Sequence, residues 1–501
     1  MLAGATLATG ALAQAWMGFG GNAQHTAQST IPSLAFDKIV WRAKMDAFPP
    51  YNGDELLIHY GSPAITPSNV VVLPVRIGTA DKFKVQARSG TDGHIIWSVA
   101  TNYTFPPHGW FPSFNPTLLP PATVGGDYRV AWPESGGRVA IRASADAATA
   151  AKTIVPFYGQ ATYNLDKNSF NANVKICTPL TAGPDGSIYF GYQVLGANAA
   201  DLKSGIARIA PNGTGTYAFA SDLSGDAGIA EVKQQSAPAL SADGNSLYVV
   251  VYSGGYGRGK LVQMSVSSML ATHRVDLMDP KSGNTALVDS DGTASPLVGP
   301  NGDVFVGVLE NPFGGNHLRG WNLHFSGDLS QTYVPGAFGW DNTPSIVPAS
   351  AVPFYHGSSP YLLFAKYNNY VQGGGDGANH IAILDPFVSA TDPVSGIATM
   401  NVIAQQLGPK PDTNFVNDGY PMARKEWCVS SAVVDIPGKC ILANSEDGFL
   451  YRWDLVTNTL SEKIRLTRGI GEAYTCTVMG PDGRVYAVNN AILFGVGSVA
   501  R

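Results

Sequence analysis

The chain carries little charge and no strong excess of either sign. Of its 501 residues, 14% are Asp, Glu, Lys or Arg, with 32 basic groups against 37 acidic ones and a formal net charge of −5. No run of Lys or Arg is long enough to neutralise a row of phosphates, which argues against a nucleic-acid partner and leaves no basis for electrostatic steering. Cysteine is scarce: Cys177, Cys428, Cys440 and Cys476 are the whole complement. Four thiols in a chain of this length make no disulfide scaffold, and the lack of CxxC and CxxCH spacing excludes a zinc ribbon, a thioredoxin-type site and an attached c-type haem. Buried thiols are the expectation, with a disulfide left open.

Catalytic signatures are missing as well. The nine His residues are scattered without HExxH, and no GxSxG elbow occurs. Asp289-Ser290-Asp291-Gly292 starts like a calcium loop but lacks the spaced Glu at its end, so it reads as a turn. The glycine run Gly373-Gly374-Gly375-Asp376-Gly377 has neither GxGxxG spacing nor a following Lys-Ser/Thr, so it is no nucleotide signal. No metal site is expected on these grounds. Long apolar runs are lacking too, and no membrane span is expected. Leu2–Ala15 is apolar, too short to cross a bilayer as a helix, and ends in Ala13-Gln14-Ala15. It has the h-region and cleavage site of a secretory signal without the charged start, which predicts removal of residues 1–15 and export to the periplasm or the medium; the competing expectation is a disordered or packed N-terminal arm.

What the chain has in quantity is Gly (57), Pro (34), Tyr (21) and Phe (21), the makings of many short strands joined by tight turns. One phrase recurs. Ser295-Pro296-Leu297-Val298-Gly299-Pro300-Asn301-Gly302-Asp303-Val304-Phe305 has counterparts at Thr178–Tyr189, Ala237–Gly244 and Cys476–Tyr486: an apolar strand, a Pro-Asp-Gly type turn, and a second strand. Its first half recurs at Ser62-Pro63, Asn115-Pro116, Thr343-Pro344 and Ser430-Ser431, which makes eight units. Successive copies stand about 46 to 63 residues apart, with one gap of about 87 after Pro344. One small sheet cannot cover both of its faces, so such units stack radially and close into a ring. The fold class predicted is all-β, an eight-bladed propeller of four-stranded antiparallel blades forming one domain over 16–501. The strand around Phe36–Arg42 is expected to complete the last blade and close the ring.

Phe83–Trp97, with Ala87, a Thr91-Asp92-Gly93 turn and a closing Trp97, resembles the repeat of the quinoprotein-like (PQQ-like) β-propellers. So do Leu450–Leu455 and Trp16–Thr26, the last like the start of mature exported members. The resemblance covers most of the chain from Trp16 onward. It implies the fold, and it leaves function open between alcohol-oxidising quinoproteins and cofactor-free scaffolds. The enzymes carry a disulfide between adjacent cysteines beside the quinone, and carboxylates with an amide around calcium. Here no two cysteines are adjacent, and the calcium ligands map onto no matching motif. The expectation is therefore no cofactor, with PQQ and calcium only under an enzymatic alternative.

In a propeller, the loop entering each innermost strand opens on the central channel, so residues just before each repeated phrase should ring its mouth. These include His59, Tyr60, His108, Trp110, Lys175 and Lys233 in the first half of the chain. The second half adds Asp291, Trp340, Asp341, the run Arg424-Lys425-Glu426-Trp427, and Glu472 with Tyr474. As a binding funnel, Trp110, Trp340, Trp427 and Tyr474 would supply contact area and Lys175 and Arg424 would clamp anions. If the funnel is catalytic, Glu426, Asp341 and His108 are the proton-handling candidates. The competing expectation is that the aromatics wedge between blades and the charges are solvated or paired. The long sixth unit, about 365–427, is expected to carry an insertion that acts as a lid or as a plain surface excursion. Two classes of function follow: a monomeric, non-catalytic propeller taking a protein or glycan ligand at its mouth, or an enzyme such as a divergent quinoprotein dehydrogenase.

Overall fold

The structure, a computed structural model, describes residues 14–51, 53, 56, 61–78, 82–108, 114–290, 292–469 and 476–498. Eight antiparallel sheets follow one another along the chain and form the blades of a propeller. Blade 1 spans 64–101, blade 2 117–156, blade 3 174–219, blade 4 231–276, blade 5 297–325, blade 6 345–407, blade 7 433–465 and blade 8 478–497. Blade 5 has three regular strands; its outer edge is made by isolated bridges from Phe325 to Thr332 and from Asn322 to Gly336.

The repeated phrase builds the inner hairpin of a blade. Gly299 and Gly302 close it in blade 5, with Gly299 N donating to Asp303 O at 2.8 Å and Gly302 at φ 91°. The same turn recurs at Gly183–Gly186 and Gly480–Gly483, where the last glycine again has positive φ. The strand that follows is apolar throughout because both of its faces meet neighbouring blades; Val304–Val308 is buried at every position. The Ser or Thr that opens the phrase links one blade to the next. Ser295 N donates to Thr343 Oγ1 at 3.0 Å, Thr343 N to Ser430 O at 2.9 Å and Thr477 N to Ser431 O at 3.1 Å. The aromatic residues that close the repeats are wedges: Trp97 lies under the Arg142 guanidinium, stacks beside Trp132, and donates from Nε1 to Ala145 O at 2.7 Å.

Closure is as expected from the sequence. Lys38–Lys44 pairs antiparallel with Ile492–Gly497 as the outermost strand of blade 8, with a bulge between Ile39 and Trp41. Trp41 packs on Tyr486 and donates from Nε1 to Gly90 O of blade 1 at 2.8 Å, so it joins the two ends of the ring.

The segment before that strand does more than lead into it. Trp16 exchanges two 2.8 Å backbone bonds with Ile65 of blade 1, and Met17 O, Ala23 O, Gln24 O, Thr26 O and Ala27 O accept in turn from inner-strand amides of blades 2, 4, 5, 6 and 7 at Leu118, Leu240, Val298, Ile346 and Val434. All of these contacts fall at the hairpin end of the inner strands. Residues 16–29 therefore lace the floor of the channel and leave its other end as the mouth. At the centre of this arm His25 is buried, with Nδ1 2.7 Å from Pro296 O.

The extra length of the sixth unit is distributed. Residues 380–407 hold the two long outer strands of blade 6, His380–Thr391 and Ala398–Leu407, and the remainder forms connections at 368–379 and 408–432 that carry a 3-10 turn at Val371–Gly373 and a short helix at Thr413–Asn417. The glycine run is a packing device: a side chain at Gly377, with φ 73°, would meet the Ala423 Cβ at 2.8 Å, and one at Gly373 would run into His317. All four cysteines are buried.

Candidate functional site

Antiparallel pairing decides which residues meet at the mouth. In blade 6, Ser345 lies opposite Phe364, so continuing the two strands brings 341–343 beside 366–368. In blade 7, Val433 lies opposite Leu442, and beyond that pairing Glu446 N reaches Glu426 O at 3.4 Å, so 426–428 and 445–447 meet. The residues entering an inner strand thus share the mouth with those leaving the second strand of the same blade.

The result is a polar group buried where blades 5, 6 and 7 converge. Asp341 Oδ2 and Lys366 Nζ are 2.5 Å apart, and neither side chain is exposed to solvent. Thr293 Oγ1 donates to Asp341 O at 2.5 Å, and Asn342 Nδ2 donates to the carbonyls of Val429 and Ser430, which ties the three blades together. Burial pulls the Lys366 ammonium toward neutrality; the Asp341 carboxylate, helped by Cys428 and Glu426, outweighs this and holds its pKa above the usual lysine value. The Tyr370 hydroxyl is pushed well up by burial and then by Asp341 and Glu426. Beside this pair, Glu426 N donates to Glu446 Oε1 at 3.0 Å and Cys428 Sγ donates to Glu446 Oε2 at 3.4 Å. Trp427 is fully buried against Tyr451, while Trp340 and Glu426 are half-buried.

Of the residues singled out in the sequence, Asp341, Trp340, Glu426 and Trp427 therefore fall on one side of the mouth. Arg424 is next to them, with its guanidinium turned back on Ala423 O at 3.0 Å, and Lys425 pairs with Asp412 at 2.9 Å. Lys233 reaches across to blade 5 and donates to Gly292 O and Ala294 O at 2.6 and 3.1 Å. Lys175 and His108 lie elsewhere on the ring: Lys175 donates to Thr104 Oγ1 and Asn171 O, and His108 sits edge-on to Phe105. Trp110, Tyr474, His59, Tyr60, Asp291 and Glu472 lie outside the described residues. Sequence reading missed Lys366, Cys428 and Glu446. Lys366 lies near the end of a second strand and Glu446 just past one, rather than before an inner strand, and Cys428 reads as one more apolar position.

A separate concavity of about 660 Å³ lies by the hairpin ends of blades 5 and 6, lined by Asp303, His324, Tyr333 and Phe387. His324 Nε2 is 2.9 Å from Asp303 Oδ2 there, and its ring stacks on Phe305.

No family model matches the chain, and no curated protein matches it. Solved structures do. A europium-containing methanol dehydrogenase superposes with a TM-score of 0.58 at 9% identity over 94% of this chain and 89% of its own. The chain has the PQQ-like propeller fold. The quinohemoprotein alcohol dehydrogenase of Comamonas testosteroni aligns with it at a TM-score of 0.56 and 11% identity, over 99% of this chain and 82% of that one. A second such enzyme, from Pseudomonas putida HK5, gives 0.51 and 11% over 97% of this chain and 76% of its own. At this identity the likeness is one of fold, and function has to be argued from the mouth itself. Among the described residues no helix is long and apolar enough to cross a membrane.

Proposed function

We propose that the chain is a monomeric binding propeller whose mouth, on the side of blades 5 to 7, receives a segment of a partner protein, and that it works without a quinone. The observation that carries this reading is how the basic groups of the mouth are used. A tricarboxylic quinone needs cations to hold its carboxylates, but Lys366 is committed to Asp341, Lys233 to two main-chain carbonyls and Lys175 to Thr104 and Asn171. No two of the four cysteines are adjacent in the chain, so they offer no vicinal disulfide to cap a planar ring. Asp341, sealed away from solvent with its lysine, is poorly placed to exchange protons with a substrate and serves instead to brace the blades.

Partner binding is supported by the segment that leads into Glu426. Tyr420 and Met422 are exposed large side chains, and the half-buried Arg424 stands two residues further on. Aromatic, Met and Arg side chains are the types enriched at protein interfaces. A glycan is the other ligand class this surface suits. Export is part of the proposal and rests on the Leu2–Ala15 segment, of which only Gln14 and Ala15 lie among the described residues.

The test is to probe the full chain with peptide and oligosaccharide arrays, alongside a Tyr420→Ser/Met422→Ser variant. Peptide signals that vanish in the variant while its melting curve stays unchanged support the reading. Signals from oligosaccharides alone, or peptide binding indifferent to the two substitutions, overturn it.

A further inference from the structure

We propose that Glu426, Cys428 and Glu446 form a binding site for a divalent metal of the zinc class, with its open coordination position toward the propeller mouth. One ligand atom from each of the three residues lies within 4.8 Å of the others. That spacing suits three ligands gathered around one ion with little adjustment. The positions are also fixed in advance by the blade. Ser445 Oγ donates to Glu426 O at 3.2 Å, Glu446 N donates to Glu426 O at 3.4 Å, and Glu426 N donates to Glu446 Oε1. The two stretches that carry the ligands are therefore bonded to each other before any ion arrives.

Charge favours an occupant. Two carboxylates this close in a half-buried space disfavour one another, and a dication relieves that repulsion. Without metal, the Cys428 proton points at Glu446 Oε2 at 3.4 Å, the oxygen an ion would share with the sulfur. Binding replaces that proton with the metal and releases it to solvent. A second observation points the same way. Asp341 is fully buried and Oδ2 is taken by Lys366, yet Oδ1 has no hydrogen-bond partner among the described residues. Asp341, Glu426 and Cys428 all act on both Lys366 and Tyr370, which places that lone acceptor at the same end of the channel, where a metal-bound water would satisfy it.

The donor set selects the metal. A thiolate with two carboxylates suits zinc and its neighbours, whereas calcium and magnesium take all-oxygen shells. Three protein ligands leave a fourth position for water or an incoming group, the arrangement of reactive rather than closed structural zinc sites. This site does not depend on the partner-protein reading.

Cobalt(II) is the probe, because a cobalt–thiolate bond gives a near-ultraviolet charge-transfer band and tetrahedral cobalt gives visible bands. Titration of the full chain with Co²⁺ should produce both at one equivalent per chain, with proton release, and Zn²⁺ but not Ca²⁺ should bleach them. Cys428→Ser should abolish the charge-transfer band, and Glu446→Gln should weaken binding by about 10-fold or more. Cobalt binding without a thiolate band, or a band that survives Cys428→Ser, overturns the proposal. If Cys428→Ser does not fold, unchanged affinity in a folded Glu446→Gln variant overturns it equally.

Discussion

His25 makes the arm that laces the channel floor sensitive to acid. The side chain is buried, and burial, only partly offset by the hydrogen bond to Pro296 O, lowers its pKa from 6.5 to about 4. In the unfolded chain the imidazole takes up a proton as pH falls through its ordinary value; in the folded protein it stays neutral until about pH 4. Between these limits the unfolded state binds more protons, so this group's contribution to stability is full above the unfolded pKa and is lost as pH falls. The slope is about 1.4 kcal/mol per pH unit, and the whole window amounts to about 3 kcal/mol. Because a carbonyl accepts from Nδ1, the neutral tautomer carries its proton there, and an Asn amide can imitate the donor. Urea unfolding of the wild type and of His25→Asn, followed from pH 7.5 down to pH 4, isolates the effect from the titration of carboxylates common to both. The difference between the two curves should shift by about 3 kcal/mol in favour of the variant as pH falls. Parallel curves would refute a buried neutral His25, and with it the assignment of the arm as an integral floor.

Three further outcomes are expected. Lys366→Met or Asp341→Asn alone should cost about 3–5 kcal/mol, since each leaves a buried group without its partner, whereas the double variant should recover most of that loss. Additive single losses in the urea cycle would mean that the pair is not coupled. Trp41→Ala should cost about 3–5 kcal/mol through lost packing on Tyr486 and the lost bond to Gly90. Removal of residues through Trp41 should lower the melting temperature sharply, and an unchanged value would contradict closure by the N-terminal strand.

The architecture was legible because its determinants are local. A Pro-Asp-Gly turn after an apolar strand announces an inner hairpin wherever it occurs, and an N-terminal strand such as Lys38–Lys44 reads as one whether or not its partner is in sight. The floor was not legible. The arm from Trp16 to Ser29 binds main-chain groups of the inner strands, through its own main chain and through the Gln24, His25 and Gln28 side chains, so no complementary side-chain pattern records where it goes, and its likeness to the start of exported propellers concealed a structural role. The site was half legible. Asp341 and Glu426 could be found by asking what precedes each inner strand. Lys366 and Glu446 required the strand register, which pairs positions on either side of a hairpin whose length the sequence does not mark. Of the tryptophans, Trp97 and Trp427 are buried against their neighbours, and Trp340 is half-buried.

The most direct measurement is to incubate the full chain with pyrroloquinoline quinone and calcium, desalt it thoroughly, and record its intact mass and absorbance. A mouth whose lysines are already committed should keep neither the added mass nor the quinone absorbance. A stoichiometric quinone that survives desalting would contradict the binding-propeller reading and return the mouth to oxidative chemistry.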